Sequence, residues 1–183
     1  FDGSAIMNGG DPPLYIPITG FLTPPLGPVS CELGAVVYDG DRVSIDSFKF
    51  KQNSNPLVGV YTDMTTILPP NTSRAGDAWN STISTNGVVV TTRNPAHQNT
   101  MGYDADIFTV PVGVLGNSQT SASIKFMSPS ENYFLHMAST SISVYNPSYG
   151  LNKSSIDLNG GVVAPGDVLR YQLDFTNVGN DAS

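Results

Sequence analysis

The sequence is short of charge, of cysteine and of helical pattern. Charged residues make up 13% of the 183, about half the usual share for a soluble domain. Polar cover must therefore come from Ser, Thr, Asn and Gln. Only 8 Lys and Arg stand against 15 Asp and Glu, and the cations are scattered singly. Without clustered positive charge, binding to nucleic acid or to an anionic membrane surface is not expected. The net charge of −7 serves solubility and can also collect divalent cations. A single cysteine, Cys31, excludes a disulfide framework, a CxxC pair and a thiolate zinc site. It lies in the apolar run CELGAVVY and reads as a small core residue rather than a nucleophile. The longest wholly apolar stretches, such as Val88-Val89-Val90, are a few residues, so membrane insertion is not expected. The chain starts at Phe1 without a leader, as expected of a processed or truncated N-terminus.

What is present is strand pattern and turn chemistry. Pro (14) and Gly (18) interrupt every candidate helix, while period-2 alternation recurs. Residues 14–22 read as a strand carrying Pro17, which points to a sheet edge or a bulge. Residues 31–38 read as a buried strand, followed by a tight turn at Asp39-Gly40-Asp41. In residues 42–51, Val43 and Ile45 have one parity and Phe48 and Phe50 the other, which predicts a bulge near Asp46-Ser47. Residues 56–62 read as a strand and 64–80 as loop. A hairpin is expected about Asn86-Gly87, then strands over 104–115, 119–128 and 132–147. Nine or ten strands before residue 150, with turn signals every eight to twelve residues, predict an all-β antiparallel sandwich, jelly-roll-like in connection. Tyr145 to Gly150 reads as a boundary. Beyond it, Leu169, Tyr171, Leu173 and Phe175 form one apolar strand face, opposite a mostly polar one.

Pro165-Gly166-Asp167-Val168-Leu169-Arg170-Tyr171, then Thr176-Asn177-Val178-Gly179-Asn180-Asp181-Ala182, resembles the opening of the Ig-like conserved repeat of large bacterial and archaeal surface proteins. Such repeats read Pro-Gly-Asp, a hydrophobic strand with a central Tyr, then an Asn-x-Gly turn. Upstream, Trp79-Asn80-Ser81-Thr82-Ile83-Ser84, Arg93-Asn94-Pro95 and Gly102-Tyr103-Asp104-Ala105-Asp106 look like the head module that precedes these repeats in secreted, adhesin-like chains of the Bacteroidetes kind. The resemblance implies a β-sandwich head over residues 1–150 and the start of an Ig-like β-repeat, or a C-terminal pairing strand, over 151–183. It also implies secretion, a cell-surface location and no enzymatic role. Lys153 stands where some such repeats carry a lysine for a Lys–Asn isopeptide bond.

Other residues suggest chemistry. Asp39 and Asp41 flank a glycine and Asp104 and Asp106 flank Ala105, so each pair can face one way. The four, with Asp77 and Asn80 to add, are candidate Ca²⁺ ligands; the alternative is turn capping. Trp79 and Tyr103 are candidate platforms for stacking a sugar, and the alternative for Trp79 is a loop anchor in the core. Histidines 97 and 136 are far apart, no Gly-x-Ser-x-Gly elbow exists, and Glu32 and Glu131 are the only glutamates. His136 is expected to point opposite to Leu135 and Met137. No enzyme and no cofactor beyond calcium are expected. The expected function is a non-enzymatic extracellular module for adhesion or fibre building. Its partners would be other surface-protein domains or identical subunits, met at sheet edges through strand complementation by residues 164–180. The alternative is a carbohydrate-binding sandwich with structural calcium and glycan partners.

Overall fold

The computed structural model describes residues 3–6, 12–42, 45–66, 76–129, 131–146 and 148–177. Val43, and residues 178–182 at the end of the repeat-like motif, lie outside them. The described residues form strands and no helix, hence no helix able to cross a membrane. By contacts the chain divides into two units, 1–144 and 145–183.

The first unit is a two-sheet sandwich. One sheet has six strands: β1 (Ser4–Ile6), β10 (Tyr133–Ile142), β3 (Cys31–Tyr38), β8 (Tyr103–Thr109), β6 (Ile83–Thr85) and β7 (Val88–Val89), in that order. The other has four: β2 (Leu14–Thr19), β9 (Ser121–Met127), β4 (Ser47–Gln52) and β5 (Thr62–Asp63). All pairings are antiparallel except β6 with β8. Alternation builds the core between the sheets. Cys31, Leu33, Ala35 and Val37 point inward from β3 and meet Phe48 and Phe50 of β4 and Ala122, Ile124 and Phe126 of β9. Cys31 is buried there, and burial pushes its thiol up to about 12, so it stays an inert thiol.

Local chemistry explains the strand ends. Asn86 and Gly87 have φ of 50° and 73°, the two positive angles of a type I′ turn, and join β6 to β7. The Asn86 carboxamide also accepts the Thr109 amide at 2.7 Å, tying the turn to the end of β8. Pro17 sits in β2, which is an edge strand, where its missing N–H costs no ladder bond. Residues 56–62 are not the expected strand. Lys51 has the opposite parity to Phe48 and Phe50 and stands on the outer face of its sheet, where its ammonium takes the carbonyls of Asn55 (2.7 Å) and Val58 and lies 4.5 Å over the Tyr61 ring. The segment wraps a buried cation, leaving Leu57 88% exposed, and only Thr62 and Asp63 pair as strand. His136 also departs from expectation. The register with β3 shifts between Leu135 and Met137, so Leu135 is buried while His136 and Met137 are both exposed.

The second unit is a two-stranded sheet, β11 (Tyr149–Asp157) with β12 (Leu169–Asn177), paired over its whole length from Tyr149↔Asn177 to Asp157↔Leu169.

Candidate functional site

The densest polar chemistry lies inside the sandwich, at the loop Gly76–Thr82. Its anchor is Trp79, fully buried and ringed by Phe48 (5.5 Å between centroids), Tyr133 (6.0 Å), Phe126 (6.1 Å) and Phe108 (6.4 Å). The indole is closed to solvent and cannot stack a sugar, so the core-anchor alternative is the one the structure shows for Trp79.

The loop is held by hydrogen bonds to both sheets. The Ala78 amide donates to the Asp46 carbonyl, just before β4, at 3.1 Å. The Ser81 hydroxyl donates to the Gly40 carbonyl at 2.7 Å and accepts the Gly102 amide at 2.9 Å. The Thr82 amide donates to Asp104 Oδ1 at 3.0 Å, and the Ser84 hydroxyl bonds Asp106 Oδ1. Gly40 is required by space. A Cβ there would lie 2.3 Å from Asp104 Oδ2 and 2.9 Å from both Trp79 Cβ and its carbonyl oxygen. Gly40→Ala is expected to cost about 1–3 kcal/mol through overpacking, read as a lowered thermal midpoint; an unchanged midpoint would show that the loop yields freely.

Around this loop Asp46, Asp77, Asp104 and Asp106 are all buried, and Glu131 stands beside them. Ser128 and Glu131 lie next to the Asp46 carboxyl, yet neither Asp46 oxygen has a hydrogen-bond partner in good geometry. The same holds for both oxygens of Asp77, for Asp104 Oδ2, Asp106 Oδ2 and Glu131 Oε2, and for Trp79 Nε1 and the Tyr133 hydroxyl. Burial, more than any neighbour, pushes the acids up: Asp77 and Asp104 to about 7, Asp106 to about 8 and Asp46 to about 9. The Glu131 carboxyl raises Asp46 further, while the amides of Thr82, Asn80 and Ser81 hold Asp104 lower than burial alone would. Burial also pushes the Tyr133 phenol up.

This is not the calcium set expected. Asp104 and Asp106 face inward from β8, but Asp39 and Asp41 are exposed in the β3–β4 turn. Among the described residues no three Asp, Glu, His or Cys side chains are placed to hold a metal ion. The sequence places Asp77 beside Asp104 and Asp106; it does not place Asp46 and Glu131 there.

The remaining candidates lie elsewhere. Tyr103 is on the outer face of the six-stranded sheet, 5.4 Å from Tyr38 between centroids. Lys153 is exposed on β11 with its ammonium 4.4 Å over the Tyr171 ring, a cation–π contact rather than the buried acid pairing that an isopeptide bond requires. Leu169, Tyr171, Leu173 and Phe175 share a face of β12, and their cross-strand neighbours Asp157, Ser155, Lys153 and Leu151 lie on the same face of β11. Leu151, Tyr171, Leu173 and Phe175 are exposed, Phe175 to 70%.

Comparison with family models, with curated proteins and with solved structures finds no match to this chain.

Proposed function

We propose that the chain is a non-enzymatic module of an extracellular surface protein, working in adhesion or fibre building, whose C-terminal hairpin completes a sandwich with a sheet supplied by an identical subunit or another surface domain. The observation that carries this is the apolar row of β12. β12 finds its edge partner in β11, but within this two-stranded unit nothing buries Leu151, Tyr171, Leu173 or Phe175. Covering the four apolar side chains of β12 is worth on the order of 6–10 kcal/mol, and an isolated two-stranded hairpin is marginal in water.

The first unit supports the same reading with an opening of its own. β1 pairs only with Tyr133–Leu135, so among the described residues the later part of β10 has no strand on that side. Facing it is the free edge of β2, and between them lies a slot of about 330 Å³ lined by Ile16, Ile18, Ile124 and Ala138 together with Thr19, Ser139 and Thr140. Free edges beside such a slot favour an added strand. Secretion and surface attachment belong to the proposal, supported by the uncharged Ser, Thr and Asn cover and by the repeat-like sequence.

The test is light scattering of the full chain across a concentration series. Self-association is expected, and Leu173→Asp with Phe175→Asp should abolish it without lowering the melting midpoint of the first unit. A chain that stays monomeric while the β11–β12 amides exchange slowly with solvent would sink the reading, because the hairpin would then need no cover.

A further inference from the structure

The outer face of the six-stranded sheet differs from the rest of the surface. Strand register places Phe134, Tyr38 and Tyr103 side by side across β10, β3 and β8. Tyr38 is 45% and Phe134 49% exposed. The bulge in β10 turns His136 onto the same face, 5.5 Å from Tyr38. The rings of Tyr103 and His136 are inclined to Tyr38 by 61° and 77°. They make a ridge, not a flat floor.

Four residues down β3 the face changes character. Gly34 lies between Ser139 of β10 and Ile107 of β8. Ser139 Oγ sits over Gly34, 2.6 Å from where a Cβ would lie, and beside it is a hollow of about 140 Å³. Glu32, Ser139 and Ser141, all of outward parity, supply its polar rim. At about 3.3 Å per residue, ridge and hollow are roughly 13 Å apart. The outward positions of β3 and β8 are Glu32, Gly34, Val36, Tyr38, Tyr103, Ala105, Ile107 and Thr109, and they carry one carboxylate and no Lys or Arg.

We infer that this face binds a neutral oligosaccharide chain, stacked on the Tyr103–Tyr38–Phe134 ridge and hydrogen-bonded by the hydroxyl and carboxylate rim of the Gly34 hollow. Each element matches the chemistry of a sugar chain. Exposed aromatic faces carry negative charge density that attracts the polarised C–H face of a pyranose. Hydroxyls that both donate and accept, beside one acceptor carboxylate, suit hydroxyl-rich partners. The lack of cations offers nothing to sulfated or uronic glycans or to nucleic acid. The 13 Å separation requires a chain of several sugars, not a monosaccharide, and the tilted rings suit a single soluble chain rather than the flat surface of a crystalline polysaccharide. The inference rests on the adhesive half of the proposed function and is independent of the assembly half, which the hairpin carries.

The test is native affinity electrophoresis of the full chain in gels containing soluble mannan, xylan or hydroxyethylcellulose, with a gel of anionic polygalacturonate as control. Retardation in at least one neutral gel and none in the control is expected. Tyr38→Ala should raise the dissociation constant about tenfold, on the scale of one lost aromatic contact. Glu32→Gln, at the far end, should weaken binding with no change in melting midpoint, which separates binding from folding should Tyr38→Ala disturb the sheet. The Leu173→Asp, Phe175→Asp double variant should bind like wild type; it fails only in assembly, so the two proposals fail separately. No retardation in any neutral gel, retardation in the anionic gel alone, or binding that survives both Tyr38→Ala and Glu32→Gln would overturn the assignment.

Discussion

Between about pH 5 and about pH 9 the protein loses stability, and Asp46→Asn removes part of that loss. The sign follows from proton linkage. Asp46, Asp77, Asp104 and Asp106 have folded-state values raised by burial to about 9, 7, 7 and 8, against about 3.9 when unfolded. In the interval between, the folded chain holds protons that the unfolded chain has released, so stability falls as pH rises. The contribution is fully present below about pH 4, is lost progressively as pH rises, and is gone once pH passes the folded values of about 7 to 9. Among the described residues no cation offsets this: the acids face one another, Glu131, Ser128, Tyr133 and the loop amides, and the one ion pair there, Lys49 with Asp63 at 3.2 Å, lies elsewhere. An amide at position 46 cannot ionise, and the backbone bond from Ala78 remains. Asp46→Asn should therefore stabilise the protein at alkaline pH by about 1–3 kcal/mol, the scale of one unsatisfied buried polar group, and change little in acid. The single tryptophan reports directly, because Trp79 sits in the loop these acids line. A melting midpoint that is flat or rises across that range would refute the linkage.

The sandwich was legible in the sequence because it rests on local, repeated signals. Alternation in CELGAVVY and SASIKFM, the Asn86-Gly87 turn and the edge proline Pro17 each report a neighbour or two along the chain, and each is where expected. The failures were long-range. Residues 56–62 look like a strand until Lys51, outside the segment, takes the carbonyls of Asn55 and Val58 on the outer face of its sheet. The acidic cluster draws on residues 46, 77, 104, 106 and 131, on four separate stretches, and no spacing rule joins them. One signal was present and local. In Asp104-Ala105-Asp106-Ile107-Phe108-Thr109-Val110 the two acids share parity with Phe108 and Val110, which belong to the core, so a strict reading of the strand pointed both carboxylates inward. Trp79 misled for the opposite reason. Its polar neighbours Asp77, Asn80, Ser81 and Thr82 suggest an exposed loop by composition, yet all four are themselves buried.

That burial sets up the largest single-site effect. Trp79→Ala should cost about 3–5 kcal/mol, the usual scale for truncating a buried tryptophan, out of the roughly 5–15 kcal/mol that hold a domain of this size. The loss is local in origin and global in result. Trp79 touches Phe48 and Phe126 of one sheet and Phe108 and Tyr133 of the other, so its removal opens a cavity at the seam between them. Trp79→Phe should cost much less. It keeps one ring in that space and removes Nε1, which lies beside the Tyr133 hydroxyl without a hydrogen bond in good geometry. Urea unfolding followed by far-UV circular dichroism measures both, since neither variant retains the fluorophore. If Trp79→Phe proved as damaging as Trp79→Ala, the indole N–H would have to be making a strong bond, with the Tyr133 hydroxyl the group beside it. The pair also separates fold from recognition. A Trp79→Phe protein that folds normally should still bind sugar through the Tyr38 ridge on the other side of the sheet, because the buried indole is a structural plug and not a platform.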